Sequence, residues 1–219
     1  MRTHTQSHVQ YWLRSAPSHW TVLPGKRFHK RKRELNHRRS CSNVLSLTLR
    51  GVVNNDPNNP LGLVPQDYAT YQLFKKGDLV FKLIDLENAS TSRVGLVHED
   101  GIMSSVYIRI VPGRSSLPKF AYYYYYSLYL NNVYNALGSG VRSTLSYREL
   151  LNLPYAEPPL DEQGAIVQLL DRKMEKISAA IEVGRRTIRV LHKKKRALLS
   201  QVVFGVKTIE ADQNPDRST

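Results

Sequence analysis

The chain is poor in the residues that would announce chemistry. Among 219 residues there is one cysteine, Cys41, which excludes an internal disulfide and a cysteine-rich zinc site. The seven histidines are scattered. Only His4 and His8 have helical i, i+4 spacing, so the sequence offers no metal site. No stretch approaches the ~20 apolar residues of a membrane span. The N-terminal segment lacks the apolar run of a signal peptide, and the reading is a soluble, cytoplasmic protein. Acidic residues are also scarce: 18 Asp and Glu stand against 32 Lys and Arg, a net charge of +14. Such an excess points to an anionic partner, nucleic acid before a membrane surface. Hydrophobic content of 41% is enough for a packed core.

The pattern along the chain predicts an α+β protein. Residues 1–16 read as a flexible lead-in and 17–160 as a globular mixed α/β domain. Residues 161–205 read as a long coiled-coil-forming helix, and 206–219 as a flexible tail. Trp20 sits between turn residues as an aromatic anchor. Residues 26–39 carry eight Lys/Arg against the single acid Glu34. They are either a solvated helix face or a phosphate-contacting segment, with Lys30 and Arg31 as candidates. Strand signals follow at 44–49, 75–84, 94–97 and 102–111, where Val106, Ile108 and Ile110 would share a face. The segment 153–160 reads as a proline-stiffened connector.

Five consecutive tyrosines occupy 122–126. Their flanks predict one helix of about twenty residues. Ser115 and Ser116 are N-cap candidates, Pro118 lies in the first turn, and Gly138 stands at the C-cap. Tyr123, Tyr126, Leu130, Val133 and Leu137 would form its apolar stripe. Five successive residues span more than one helical turn, so they cannot form a single stacking platform. Ser146 and Glu149 in SYRE form a capping box before another short helix.

The C-terminal helix has a seam. Leu170, Met174, Ile177, Ile181, Gly184, Ile188, Leu191, Lys195, Leu198 and Val202 keep 4-3 spacing, and all but Gly184 and Lys195 are apolar. One helix cannot bury its own seam, so it needs a partner helix.

The loops offer contacts rather than catalysis. Ser90, Thr91, Ser92 and Arg93 in ASTSR can either read base edges or form a polar surface loop; a fork from Arg93 onto guanine is the specific option. GSGVRST lacks Walker spacing. Arg142 there can meet a phosphate, or the segment is a plain turn between helices. Arg50, Lys82 and Arg114 complete the candidate DNA contacts. NLPY faintly resembles the N-P-P-Y element of amino-methyltransferases, but Leu153 replaces its first proline. Asp78, Asp85 and Glu87 near Lys82 lack the order of a nuclease cluster and are read as turn-setting carboxylates. No catalytic arrangement or cofactor site is read.

Residues 138–177 resemble the specificity (S) subunits of type I restriction-modification systems. The elements are Gly138, Gly140, Arg142, Leu145, Leu150, Leu153, Pro158, Pro159, Leu160, Glu162, Gln163, Ile166, Leu170 and Asp171. They run from a glycine-rich stretch through P-P-L-x-E-Q into a long helix. The resemblance extends over roughly residues 12–207. It implies a target recognition domain that reads one half of a bipartite site in double-stranded DNA, followed by a spacer helix. It also implies docking to a methyltransferase (M) subunit and a restriction (R) subunit, which supply methylation and cleavage. The family's subunits usually carry two such domains and two helices. The single copy here implies a homodimer or pairing with another half specificity subunit. A truncated or recombination-donor fragment that only binds the methyltransferase subunit is the alternative.

Overall fold

The computed structural model describes residues 16–204 apart from 57, 62–64, 89 and 141–142. The chain divides into two compact units at Gln168/Leu169. The first contains strands β1 (Thr21–Pro24), β2 (His29–Lys32), β3 (Leu45–Thr48), β4 (Gly51–Asn54), β5 (Gln72–Phe74), β6 (Leu79–Phe81), β7 (Val94–Leu96), β8 (Gly101–Met103), β9 (Ile108–Pro112) and β10 (Pro154–Glu157). Helices α1 (Pro118–Leu130), α2 (Val133–Leu137) and α3 (Tyr147–Asn152) precede β10, and α4 (Leu160–Val203) follows it. This is the α+β class that the sequence pattern implies.

The main sheet is antiparallel in the order β2-β9-β6-β7, with β2 at an edge. Its β6 strand is buried on both faces. Leu79 and Phe81 point into a cluster with Phe120, Tyr125, Tyr134, Leu150 and Tyr155. Val80 points into a second cluster with Leu45, Leu47, Phe74 and Met103. Period-2 alternation is therefore apolar on both sides at 79–81, as a doubly covered strand requires. The hairpin β3–β4 lies so close to β7 that a Cβ on Gly95 would fall 2.6 Å from Leu47 Cδ1, which leaves glycine as the residue that fits.

Several local expectations change. The run 102–111 is two strands, because Ser104–Tyr107 turns (Tyr107 N–H to Ser104 O, 3.1 Å) and leaves Val106 48% exposed. The basic run 29–32 is a β-strand rather than a helix face. The 153–160 connector contains β10, which pairs antiparallel with β1 from Thr21↔Glu157 to Pro24↔Pro154.

The tyrosine helix is also shorter than expected. Asn132 adopts a left-handed φ of 56°, which ends α1 and restarts the chain as α2. The buried face of α1 is Phe120, Ala121, Tyr125 and Leu128, and Leu130 is 60% exposed. The expected stripe was displaced because Tyr125, not Tyr123 or Tyr126, meets Phe81 edge-on at 5.2 Å. The tyrosines do spread around the helix. Tyr124 donates to Pro154 O (2.9 Å), while Tyr122 and Tyr126 stack on each other at 5.5 Å.

Neither Ser115 nor Ser116 caps α1. Its N-cap is Leu117, whose N–H donates to Gln163 Oε1 at 2.7 Å. Gln163 is fully buried, and its amide donates to Ser115 O and Pro158 O, each at 2.8 Å. One side chain at the start of α4 thus satisfies three backbone groups left over where β10, α1 and α4 meet. Trp20 joins the same corner by donating from Nε1 to Glu162 Oε1 (3.0 Å) and packing edge-on against Phe120. Gly138 does terminate α2, but with φ −59°, and its lack of a side chain serves close approach to Ser143 and Leu86 instead. The Ser146/Glu149 capping box is present.

Gln163 is the one buried residue of α4. The second unit begins at Leu169, and the seam positions Met174, Ile177, Ile181, Ile188, Leu191, Leu198 and Val202 are 42–58% exposed. Leu170 is half-buried.

Candidate nucleic-acid interface

A strand alternates its side chains, so β2 places His29 and Arg31 on one face and Lys30 and Lys32 on the other. His29 is buried against Tyr125 and Tyr155, and that burial pulls its imidazole down to about 4. Beyond it the strand is exposed through Lys30, Arg31, Lys32 and Arg33. The Arg31 guanidinium lies 4.3 Å over the Tyr147 ring, and that of Arg148 lies 5.8 Å from it. Arg148 Nε donates to the Tyr147 hydroxyl at 3.3 Å. Hydrogen bonds from Arg148 and Arg31 hold that hydroxyl below the usual phenol range. Arg114 is exposed in the turn after β9, next to Gly113, whose N–H donates to Phe28 O at 2.7 Å. Lys30, Arg31 and Arg114 are therefore all surface cations at the β2/β9 side of the main sheet.

A second polar region surrounds Lys82. Its backbone N–H donates to Arg93 O (3.0 Å) and its Nζ to Thr91 Oγ1 (3.3 Å). Lys82 lines a groove with Ser46, Tyr71, Asp85 and Tyr107. Ser90 is exposed, held by a bond from its N–H to Asn88 Oδ1 (2.9 Å). Arg50 is exposed in the β3–β4 turn, where its N–H donates to Thr48 Oγ1 (3.1 Å).

Two proposed base readers are removed by the structure. Arg93 is 1% exposed, and its guanidinium donates to Ile84 O (3.4 Å) and Asn88 O. Ser92 is 2% exposed and donates to Val94 O at 2.7 Å. The reason is internal supply. The 84–88 turn leaves carbonyls without strand partners, and a guanidinium is the donor-rich group able to satisfy two at once. Desolvation lowers the Arg93 pKa accordingly. Arg142 lies outside the described residues.

The Asp78 carboxylate acts as a structural group. Asp78 is buried, accepts from Lys75 N–H (2.6 Å) and pairs with buried Arg109 (Oδ2 to Nε, 2.5 Å). Arg109 also donates to Leu73 O at 2.9 Å. Asp85 accepts from Asn88 N–H through its carbonyl (2.9 Å) and so sets the turn that Arg93 completes. Among the described residues, no group of three or more His, Cys, Asp or Glu could hold a metal ion. No described helix is long and apolar enough to cross a membrane. Sequence reasoning missed Tyr147 and Arg148. Their signal was the aromatic-basic pair inside the capping box, legible only once β2 is known to lie beside it.

The family model for the type I restriction modification DNA specificity domain matches residues 51–184. The chain belongs to that family. As a type I specificity domain it also shares its fold with solved chains. One, from a study of complex assembly and conformational transition of the type I R-M system, superposes with a TM-score of 0.61 at 15% identity, covering 91% of this chain and 52% of that one. The HsdS subunit from Thermoanaerobacter tengcongensis superposes with a TM-score of 0.52 at 16% identity, over 91% and 50% of the two chains. This specificity-domain chain thus spans about half the length of the solved chains it matches. No curated protein matches it.

Proposed function

We propose that the chain is a non-catalytic DNA recognition module of a type I restriction-modification complex. It reads one half of a bipartite site in double-stranded DNA. Residues 17–160 form the reading domain, and α4 is the spacer helix that pairs with a second copy or with another half specificity subunit. The methyltransferase subunit docks on this assembly, and methylation and cleavage belong to the partner subunits in the cytoplasm. The observation that carries the reading is the family match across the recognition domain and the first part of a helix whose apolar seam is exposed.

Within that reading, Lys30, Arg31 and Arg114 contact phosphates, and Lys82, its partner Thr91 and Ser90 contact base edges. Arg50 in the hairpin turn and Arg142 are further contacts. Arg93 and Ser92 have no part in them. A paired seam made by two copies would relate identical recognition domains by a two-fold axis, so the two half-sites would be inverted repeats.

The test is to express the chain with a methyltransferase subunit of its system in a methylation-free host and sequence the methylated genome. A bipartite motif with inverted-repeat halves supports two copies acting together. A bipartite motif with unlike halves supports pairing with a different half-subunit. A stable complex with no methylation overturns the reading in favour of a docking fragment.

A further inference from the structure

The cluster around Tyr147 has a property that ordinary surface cations lack. Arg31, from β2, and Arg148, from α3, lie far apart in sequence yet share one phenol ring. His29, Lys30, Arg31, Arg33, Tyr147 and Leu151 line one shallow depression. Elsewhere in this unit several exposed cations are neutralised by a carboxylate: Arg39 pairs with Asp67 at 2.9 Å, and Lys75 pairs with Asp100 at 2.9 Å. Arg31 and Arg148 have no carboxylate partner among the described residues. Glu34, the acid nearest Arg31 in sequence, is directed to Arg109 at 3.7 Å, and Glu149, next to Arg148, accepts from Ser146 N–H at 2.8 Å. The buried His29 imidazole is neutral near pH 7, so it adds no competing charge.

Two guanidiniums held at one ring repel each other in the absence of an anion. The ring's negative face and hydroxyl offset part of that repulsion and fix both forks. The remainder is satisfied by a doubly accepting group such as a phosphodiester, the geometry that guanidinium forks match.

We propose that Arg31 and Arg148, positioned by Tyr147 and supported by Lys30 and Arg33, form a clamp for a DNA backbone phosphate. This inference rests on the DNA-reading function above and adds a site to it. No carboxylate lines the depression, which distinguishes it from the Lys82 groove. There Asp85 lines the groove together with Lys82, a mixed lining that suits a base edge offering both donors and acceptors.

The experiment measures binding of the full chain to 30-base-pair duplexes of several sequences across salt concentrations, and to the methyltransferase subunit of its system. It compares the parent protein, Arg31→Gln/Arg148→Gln, Tyr147→Ala and Lys75→Gln. All four sites are on the surface or half-buried, and a thermal melt checks that each variant folds. The expected result is a salt slope reduced by about one for the double variant, with equal loss on every duplex sequence. Tyr147→Ala should weaken binding at unchanged charge, because the forks lose their positioning ring. Lys75→Gln should match the parent.

An unchanged slope in the double variant, with the parent binding normally, overturns the clamp and leaves the DNA-reading function standing. Loss confined to one duplex sequence makes the cluster a base reader and overturns it as well. Loss of methyltransferase-subunit binding with duplex binding intact makes it a protein-docking surface, which also overturns the clamp. A parent protein with no duplex affinity, alone or with that subunit, overturns the underlying function together with the clamp.

Discussion

The two units of this chain use their apolar residues in opposite ways. In the first, β6 is covered on both faces and the aromatic side chains of α1, β10 and β2 close on one another. In the second, seven seam residues from Met174 to Val202 are 42% or more exposed. The first unit has within itself what it needs to bury its hydrophobic surface. The second carries a surface of the same chemistry left exposed, which the proposed function covers with another helix. The contrast teaches where each type of perturbation should register: in folding for the first unit, in assembly for the second.

The sharpest break is expected at the buried ion pair. Arg109→Leu leaves the Asp78 carboxylate buried without its cation and frees Leu73 O, so urea unfolding should show a loss of about 3–5 kcal/mol. His29 gives the next effect, and it depends on pH. Its folded pKa of about 4 lies below the free value of 6.5, so the unfolded chain binds the proton more readily. Stability is complete above about pH 6.5 and falls as pH drops from there towards 4, by up to about 3 kcal/mol. His29→Phe should flatten that dependence in denaturation curves measured from pH 7 to 4.5.

Arg93→Ala should cost about 1–3 kcal/mol, because Ile84 O and Asn88 O lose their donor. The methylated motif should stay the same; an altered motif would return Arg93 to the readers. The smallest effect on the first unit's folding is expected from Ile181→Lys with Ile188→Lys, within about 0.5 kcal/mol. Sedimentation should nevertheless show a smaller assembly. A coupled fall in the first unit's stability would show that the two units are not independent in this respect.

Legibility in the sequence followed the range of the interactions. The capping box at Ser146/Glu149 and the α4 seam spacing depend on residues a few positions apart, and both were readable. The β1–β10 pair joins residues more than a hundred positions apart, so β10 passed for a connector. The Arg93 error has the same origin. ASTSR reads as a polar loop, and nothing local says that the 84–88 carbonyls turn inward to claim its guanidinium. The Tyr147 cluster was half visible for a related reason: Arg31 stood as a candidate phosphate contact, but nothing local brings its strand beside Tyr147 and Arg148. The stop at Asn131–Asn132 was a local signal misread, since two asparagines inside an apolar stripe favour a left-handed break.

The pairing of β1 with β10 has a consequence for how such a unit can be inherited. The strand by which the backbone enters the globular part and the strand by which it leaves lie side by side, from Thr21↔Glu157 to Pro24↔Pro154. A segment whose two ends are neighbours can be excised and replaced by another of different internal sequence while the flanking chain keeps its path. Genetic exchange at these two short stretches would graft a new reading surface onto an old helix without redesigning either.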